Sequence, residues 1–334
     1  SQYTYTAKYF NAPSAAQYIR TSCMADGALY LAASQQGEMR TYTDEASGES
    51  YQYNETGYQV YKMDLAAGES TPVGALISDP QEADAEGWNT SQDLFDLQPG
   101  KDGSVWLFLN VNRSRLNLPE NFDPETDDRY SYYEDGGTVI RAMELAADGS
   151  IRQDLSLDPG ETARPQAGDY VSFYPQRVLI TSDGSFAASS DRYAYLWSAD
   201  GTLAAVLDNE SYADLKRLNA DTIGVTSYTG GSMRFQALDT ASKSWGKTIT
   251  LPDSAWNLLP GNSQYDFFYN NGTALYGYKT DSGKEEKLVD WLACDVNSDS
   301  LNGTYVLDDG RVCAILRDST ANYSYYIGGM TVST

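Results

Sequence analysis

Runs of alternating or continuous apolar residues recur along this chain, each bounded by turn residues, and they read as short β-strands. Two turn signals punctuate them. The first is a turn leading directly into an apolar strand: Asp26-Gly27 before Ala28-Leu29-Tyr30-Leu31, Asp102-Gly103 before Ser104-Val105-Trp106-Leu107, Asp183-Gly184 before Ser185-Phe186-Ala187-Ala188, and Asp309-Gly310 before Arg311-Val312-Cys313-Ala314. Degenerate copies stand at Asn219-Ala220-Asp221-Thr222 and Gly261-Asn262-Ser263-Gln264. Asp-Gly tolerates the positive φ that tight hairpins need. The second signal closes an aromatic or apolar strand, as in Tyr61-Lys62-Met63-Asp64-Leu65-Ala66-Ala67-Gly68 and Met143-Glu144-Leu145-Ala146-Ala147-Asp148-Gly149. It returns at Ser198-Ala199-Asp200-Gly201, Asp239-Thr240-Ala241-Ser242 and Thr280-Asp281-Ser282-Gly283.

The two signals alternate along the chain. Two hairpin turns per unit imply four strands, a to d, with the first turn joining a to b and the second joining c to d. That is the blade of a β-propeller. The expected fold is therefore all-β: one propeller domain over residues 1–334, built of four-stranded antiparallel blades. Six first-type and five second-type turns predict six blades, with seven as the alternative count, and a pair of two-sheet sandwiches is the competing architecture. The unit after residue 300 lacks its outermost strand. The alternating run Tyr3-Thr4-Tyr5-Thr6-Ala7-Lys8-Tyr9-Phe10 is expected to supply that strand and close the ring.

Regularity breaks down in the first two units. Long polar insertions separate strands b and c at residues 40–56 and 113–137, and long d-to-a connections cover 78–91 and 158–169. In an up-and-down blade, b–c and d–a connections emerge on the same rim, so all four land on one face. Long loops in compact domains commonly carry function. Tyr51, Tyr53, Tyr58, Trp88, Tyr130, Tyr132, Tyr133 and Tyr170 lie in or beside these segments and are the candidate ligand-binding residues. Tyr and Trp offer rigid contact area with a polar handle, suited to sugar rings and to peptides. Packing between blades is the competing role for each.

Composition narrows the chemistry. The net charge is −24, from 47 acidic and 23 basic residues, so there is no basic footprint for nucleic acid or for an anionic membrane surface. Histidine is absent, which removes Ser-His-Asp and Cys-His catalysis and every imidazole metal ligand. The three cysteines, Cys23, Cys294 and Cys313, form no CxxC; Cys294 and Cys313 could meet on neighbouring strands, and buried free thiols are the reading preferred. No run of apolar residues is long enough to span a membrane. The chain opens on polar, Tyr-rich sequence, as a mature secreted chain would.

Paired carboxylates can hydrolyse glycosides, and Asp123, Glu125, Asp127, Asp128, Glu134 and Asp135 supply carboxylates, but no motif singles out two of them. Asp295, Asn297 and Asp299 have the D-x-N-x-D spacing that begins a calcium loop; Ser300 stands where that loop wants Gly and Val306 where it wants Glu. An ordinary polar turn is the competing reading, and no other cofactor is expected. Arg113, Arg115 and Arg141 flank the acidic insertion and read as local ion-pair partners.

Val306-Leu307-Asp308-Asp309-Gly310-Arg311-Val312-Cys313-Ala314-Ile315-Leu316-Arg317-Asp318, with Tyr326-Ile327-Gly328-Gly329-Met330, resembles the propeller module that precedes the solute-binding domain in transporter-type surface lipoproteins of anaerobic Gram-positive bacteria. The Tyr-x-Met-Asp-Leu and Asp-Gly-Ser-Val-Trp turns resemble it too. The resemblance implies an extracellular, lipid-anchored protein in which a domain binding sugars or oligosaccharides adjoins the propeller, and it carries over no catalytic residue. The functional expectation is a monomeric, non-enzymatic module that engages a glycan, a peptide or a partner domain through its b–c/d–a face. A carboxylate-based polysaccharide hydrolase or lyase, and a spacer for the solute-binding domain, are the alternatives.

Overall fold

The computed structural model describes residues 13, 18–44, 47–64, 67–79, 83–164, 171–297, 301–307, 309–316 and 328–332. Strands b of the blades show why the sheets stack in a ring. In Val105-Trp106-Leu107-Phe108-Leu109, the odd residues pack with the first blade and Trp106 and Phe108 pack with the third. A strand buried on both faces must be apolar throughout, which is why these runs do not alternate with polar residues. Leu29 and Leu31 likewise face the last sheet, while Tyr30 and Ala32 face the second blade.

The first blade is β1 (Tyr18–Ala25), β2 (Ala28–Thr43), β3 (Ser50–Asp64) and β4 (Glu69–Ser78). The second is β5 (Asn89–Pro99), β6 (Val105–Leu116), β7 (Tyr133–Leu145) and β8 (Ile151–Leu157). The third holds β9 (Leu179–Ile180), β10 (Phe186–Ser190), β11 (Tyr193–Trp197) and β12 (Leu203–Asp208). The fourth holds β13 (Leu215–Arg217), β14 (Ile223–Thr229), β15 (Ser232–Asp239) and β16 (Ser244–Thr250). The fifth holds β17 (Asn257–Pro260), β18 (Phe267–Asn270), β19 (Ala274–Lys279) and β20 (Lys284–Asp290). Every pairing is antiparallel and sequential, as two hairpin turns per unit require.

The blade count differs from expectation. There are five four-stranded blades, not six or seven, and the remaining sheet, β21 (Leu301–Val306), β22 (Val312–Leu316) and β23 (Gly328–Val332), has three strands among the described residues. It sits between the fifth and first blades: Val312 and Ala314 pack on Leu275 and Trp291, and Cys313 and Ile315 pack on Leu29 and Leu31. The Ser22 and Tyr305 hydroxyls, 2.6 Å apart, join the same two ends of the ring. The expected closing strand at residues 3–10 lies outside the described residues.

Two of the four first-type Asp-Gly turns have a positive φ at both residues; at Asp183-Gly184 and Asp309-Gly310 only the glycine does, at 84° and 85°. Asp26 and Gly27 have φ of 50° and 73°, Asp102 and Gly103 of 56° and 74°, the consecutive positive values of a hairpin turn matched to strand twist. Neighbouring blades approach closely at Gly74 and Gly149, where a Cβ on Gly149 would stand 2.3 Å from the Gly74 nitrogen. All three cysteines are buried and none is in a disulfide. Among the described residues no helix is long and apolar enough to cross a membrane.

Candidate functional site

The insertion at residues 40–56 is largely strand rather than loop. Strands β2 and β3 project past the rest of the blade as a long hairpin, closed by the Gly48 N–H to Asp44 carbonyl bond at 2.7 Å. A one-residue bulge between Gln36 and Met39 sets the register beyond it, so that Tyr42 pairs with Tyr51 and Arg40 with Tyr53. Gly37 occupies the bulge, where a Cβ would come within 2.8 Å of the Glu55 carbonyl oxygen. Period-two alternation then puts Tyr51 and Tyr53 on one face with Tyr42; the ring centroids are 5.2 Å apart for Tyr42–Tyr51 and 6.3 Å for Tyr51–Tyr53.

The second blade supplies the facing wall. Asn89, Thr90 and Ser91 open β5, Ser114 lies opposite Asn89 on β6, and Tyr133 begins β7. Between β6 and β7 the chain makes a 3-10 turn over Arg129–Tyr132, whose first free N–H, that of Tyr130, is capped by Asp128 Oδ1 at 3.0 Å. This places Arg129 against the hairpin tip, ion-paired with Asp44; the Tyr133 hydroxyl and the Asp44 carboxylate beside it raise the Arg129 pKa further above neutrality. Together the walls enclose an open cleft of about 430 Å³ lined by Tyr42, Tyr51, Tyr53, Tyr133, Arg129 and the short polar side chains of residues 89–91 and 114. Burial raises the Tyr42 and Tyr53 phenols, so both remain neutral hydroxyls. A second cleft of about 320 Å³ shares Ser91 and includes Tyr58, Asp79, Asn110, Asn112 and Tyr174.

Of the eight aromatic candidates, Tyr51, Tyr53 and Tyr133 meet in the first cleft. Tyr130 stacks on Tyr133 at its rim, with centroids 6.2 Å apart, and is largely exposed. Tyr58 is buried beside the second cleft and donates to the Gln92 carbonyl at 3.0 Å. Tyr132 packs edge-on against Phe122 inside the insertion. Trp88 packs against the Arg113 and Arg115 guanidiniums, 4.6 and 4.4 Å from its ring centroid, and lines neither cleft. Those arginines pair with Asp84 and Glu134, and Arg141 forms a two-point pair with Asp154. Tyr170 lies outside the described residues.

Sequence reasoning passed over Tyr42, Asp44 and Arg129. The signal for Tyr42 was present, an aromatic mirrored across a hairpin from Tyr51. Arg129 carried only the weaker hint of a lone cation ending an acidic run. Asp295 caps a 3-10 turn in the left-handed conformation, its N–H bonded to the Leu292 carbonyl at 3.1 Å; Asp299 lies outside the described residues. No group of three or more acidic or thiol ligands that could hold a metal ion occurs among the described residues.

Fold and cleft together define a class, an all-β propeller with an aromatic-walled cleft on one rim. No family model matches the chain, and no curated protein does. Among solved structures it is similar to NanB in complex with Optactamide, at a TM-score of 0.52 and 12% identity over 98% of this chain and 70% of that one. It is also similar to a chain of a mitotic checkpoint complex, at 0.45 and 12% identity over 100% and 94%, and to the Dos1 propeller, at 0.39 and 7% over 98% and 94%. At these identities the likeness is one of fold.

Proposed function

We propose that this chain is a non-enzymatic recognition module whose cleft between the first and second blades holds a segment of neutral glycan. The reading is carried by the four tyrosines of the cleft, Tyr42, Tyr51, Tyr53 and Tyr133, facing a row of short hydroxyl and amide side chains. A pyranose presents C–H faces and a girdle of hydroxyls. Aromatic π-faces meet the first, and neutral phenols, Ser, Thr and Asn meet the second. A protein of net charge −24 repels polyanions, and among the described residues the one cation lining the cleft, Arg129, already serves Asp44; both favour an uncharged ligand over an anionic one.

Asp123, Asp127 and Asp128 of the acidic insertion accept hydrogen bonds within their own loop. Asp123 Oδ1 accepts from Glu125 N, Asp127 Oδ2 from Asp123 N and Asp128 Oδ1 from Tyr130 N, each at 3.0 Å, while Glu134 pairs with Arg115. This supports recognition over hydrolysis. By its resemblance we place the module at a cell surface, beside a solute-binding domain that receives sugars.

Thermal shift against neutral oligosaccharides, peptides and calcium tests the reading, since a ligand at one hundred times its dissociation constant stabilises the fold by about 2.7 kcal/mol. The expected result is a shift with an oligosaccharide that Tyr51→Ala and Tyr133→Ala abolish. A flat oligosaccharide screen overturns the glycan reading and leaves the spacer role. Release of reducing or unsaturated ends overturns the non-enzymatic reading.

A further inference from the structure

Exposed apolar surface is distributed unevenly between the two faces of the disc. Eleven large hydrophobic side chains are exposed among the described residues; all but Ile151 lie in or beside b–c and d–a connections or at the outer start of β1, hence on the face that carries the tyrosine cleft. Eight of those ten are Tyr or Trp. Two of them form a pair far along the chain from that cleft. Tyr228 is the penultimate residue of β14, at the b–c turn of the fourth blade, and Trp256 ends the d–a connection into the fifth. Their rings are near-parallel, 23° between planes with centroids 5.9 Å apart, and the side chains are 54% and 56% exposed.

The pair is held rigidly. Tyr228 donates to the Gly231 carbonyl at 3.2 Å, and its cross-strand partner Met233 is buried in the core between the fourth and fifth blades. Ala255, next to Trp256, is buried in the same core and donates to the Pro252 carbonyl at 3.0 Å, and Lys216 reaches the Trp256 carbonyl. Aromatic surface held in solvent costs hydration free energy unless something covers it, and an exposed Tyr–Trp pair is the kind of rigid, polar-edged contact surface used in recognition.

We infer that Tyr228 and Trp256 form a second glycan-binding platform, which takes a neutral pyranose unit by stacking and lets one polysaccharide engage the first-to-second-blade cleft and the fourth blade together. The ligand class rests on the glycan reading above. The shared face with the tyrosine cleft favours it, the strong negative charge disfavours acidic peptides and polyanions, and the apolar faces and polar edges of the two rings suit a pyranose. Two weak sites on one polymer add as effective concentration, so polymer affinity exceeds that of either site for a short fragment by about 10²-fold or more.

The test uses soluble β-glucan, galactomannan and arabinoxylan, with tetrasaccharides cut from each, on the intact chain and on Trp256→Ala, Tyr228→Ala and Tyr51→Ala. Calorimetry with the recognised tetrasaccharide should give two sites per chain in the wild type and one in Trp256→Ala or Tyr51→Ala. Affinity electrophoresis with the matching polymer should weaken about tenfold or more in each variant. Trp256 is the most exposed tryptophan among the described residues, so the polymer should also protect it from acrylamide quenching, and that share of the protection should vanish in Trp256→Ala. A single site lost in Tyr51→Ala and untouched by Trp256→Ala overturns this platform alone. A single site lost in Trp256→Ala and untouched by Tyr51→Ala overturns the first-cleft reading and leaves the platform standing. Absence of binding to every probe overturns both.

Discussion

Replacing Asp96 with Asn should change how stability depends on pH, with a sign and size fixed by the geometry around it. A bulge between Leu94 and Asp96 turns this side chain towards the segment entering the third blade. There Oδ2 accepts from the Val178 N–H and from Gln98 Nε2, both at 2.9 Å, and Oδ1 accepts from the Leu97 N–H at 2.9 Å. Burial pushes the carboxyl up to about 6, against the opposing pull of those bonds and of Arg177. An aspartate near 3.8 unfolded and about 6 folded binds more protons in the folded state between those values. Its contribution to stability is therefore complete below about pH 4 and lost as pH rises through about 6, a change of ~3 kcal/mol.

Asp148, Asp183, Asp200, Asp239 and Asp266 titrate lower than usual because they accept hydrogen bonds from neighbouring Ser or Thr residues, and they act with the opposite sign, losing stability as pH falls. The wild-type profile alone thus mixes the two effects, and the difference between Asp96→Asn and wild type isolates the first. Exchanging one acceptor for a donor carries a fixed cost of about 1–3 kcal/mol that cancels in the pH dependence. Urea unfolding followed by tryptophan fluorescence, from about pH 4 to about pH 7.5, should show the stability of Asp96→Asn rising relative to wild type by ~3 kcal/mol. A difference that stays flat or falls with pH would refute the reasoning. Asp96 also anchors, through Val178, the segment carrying Tyr174, so loosening it should weaken the second cleft as well.

Other outcomes follow from single features. Gly149→Ala combines a φ of 86° with a backbone clash at Gly74 and should destabilise the chain by ~2 kcal/mol or more in a urea melt. A double-mutant cycle on Asp44 and Arg129, both half-buried, should give a coupling of about 1 kcal/mol in stability, and Arg129→Ala should lower oligosaccharide affinity by freeing the hairpin tip. Burial pushes the Cys313 thiol up to about 12 and raises Cys23 further still, so a thiol reagent near neutral pH should find neither in the folded chain and both in guanidinium. Rapid labelling of folded Cys313 would contradict its place between the last sheet and the first blade.

The sequence determined what depends on neighbours in the chain. Asp-Gly pairs impose hairpin turns within four residues, and runs such as Val105–Leu109 announce strands buried on both faces; together these gave four-stranded blades in series. The shared rim of the long connections followed from topology alone. Tertiary structure decided the rest. The number of complete blades depends on which distant segment, if any, adds to β21–β23, and no local pattern encodes that partner. The bulge between Gln36 and Met39 sets which tyrosines share a face, because a one-residue shift exchanges every side chain beyond it. Trp88 reads from its loop as a ligand contact, and the structure adds that two arginines two residues apart on β6 pack against its ring. Arg129 and Asp44 are 85 residues apart, and Tyr228 and Trp256 come from different connections. Such pairs meet only where twisted sheets, packed side by side, bring separate rims together, and that geometry belongs to the ring as a whole.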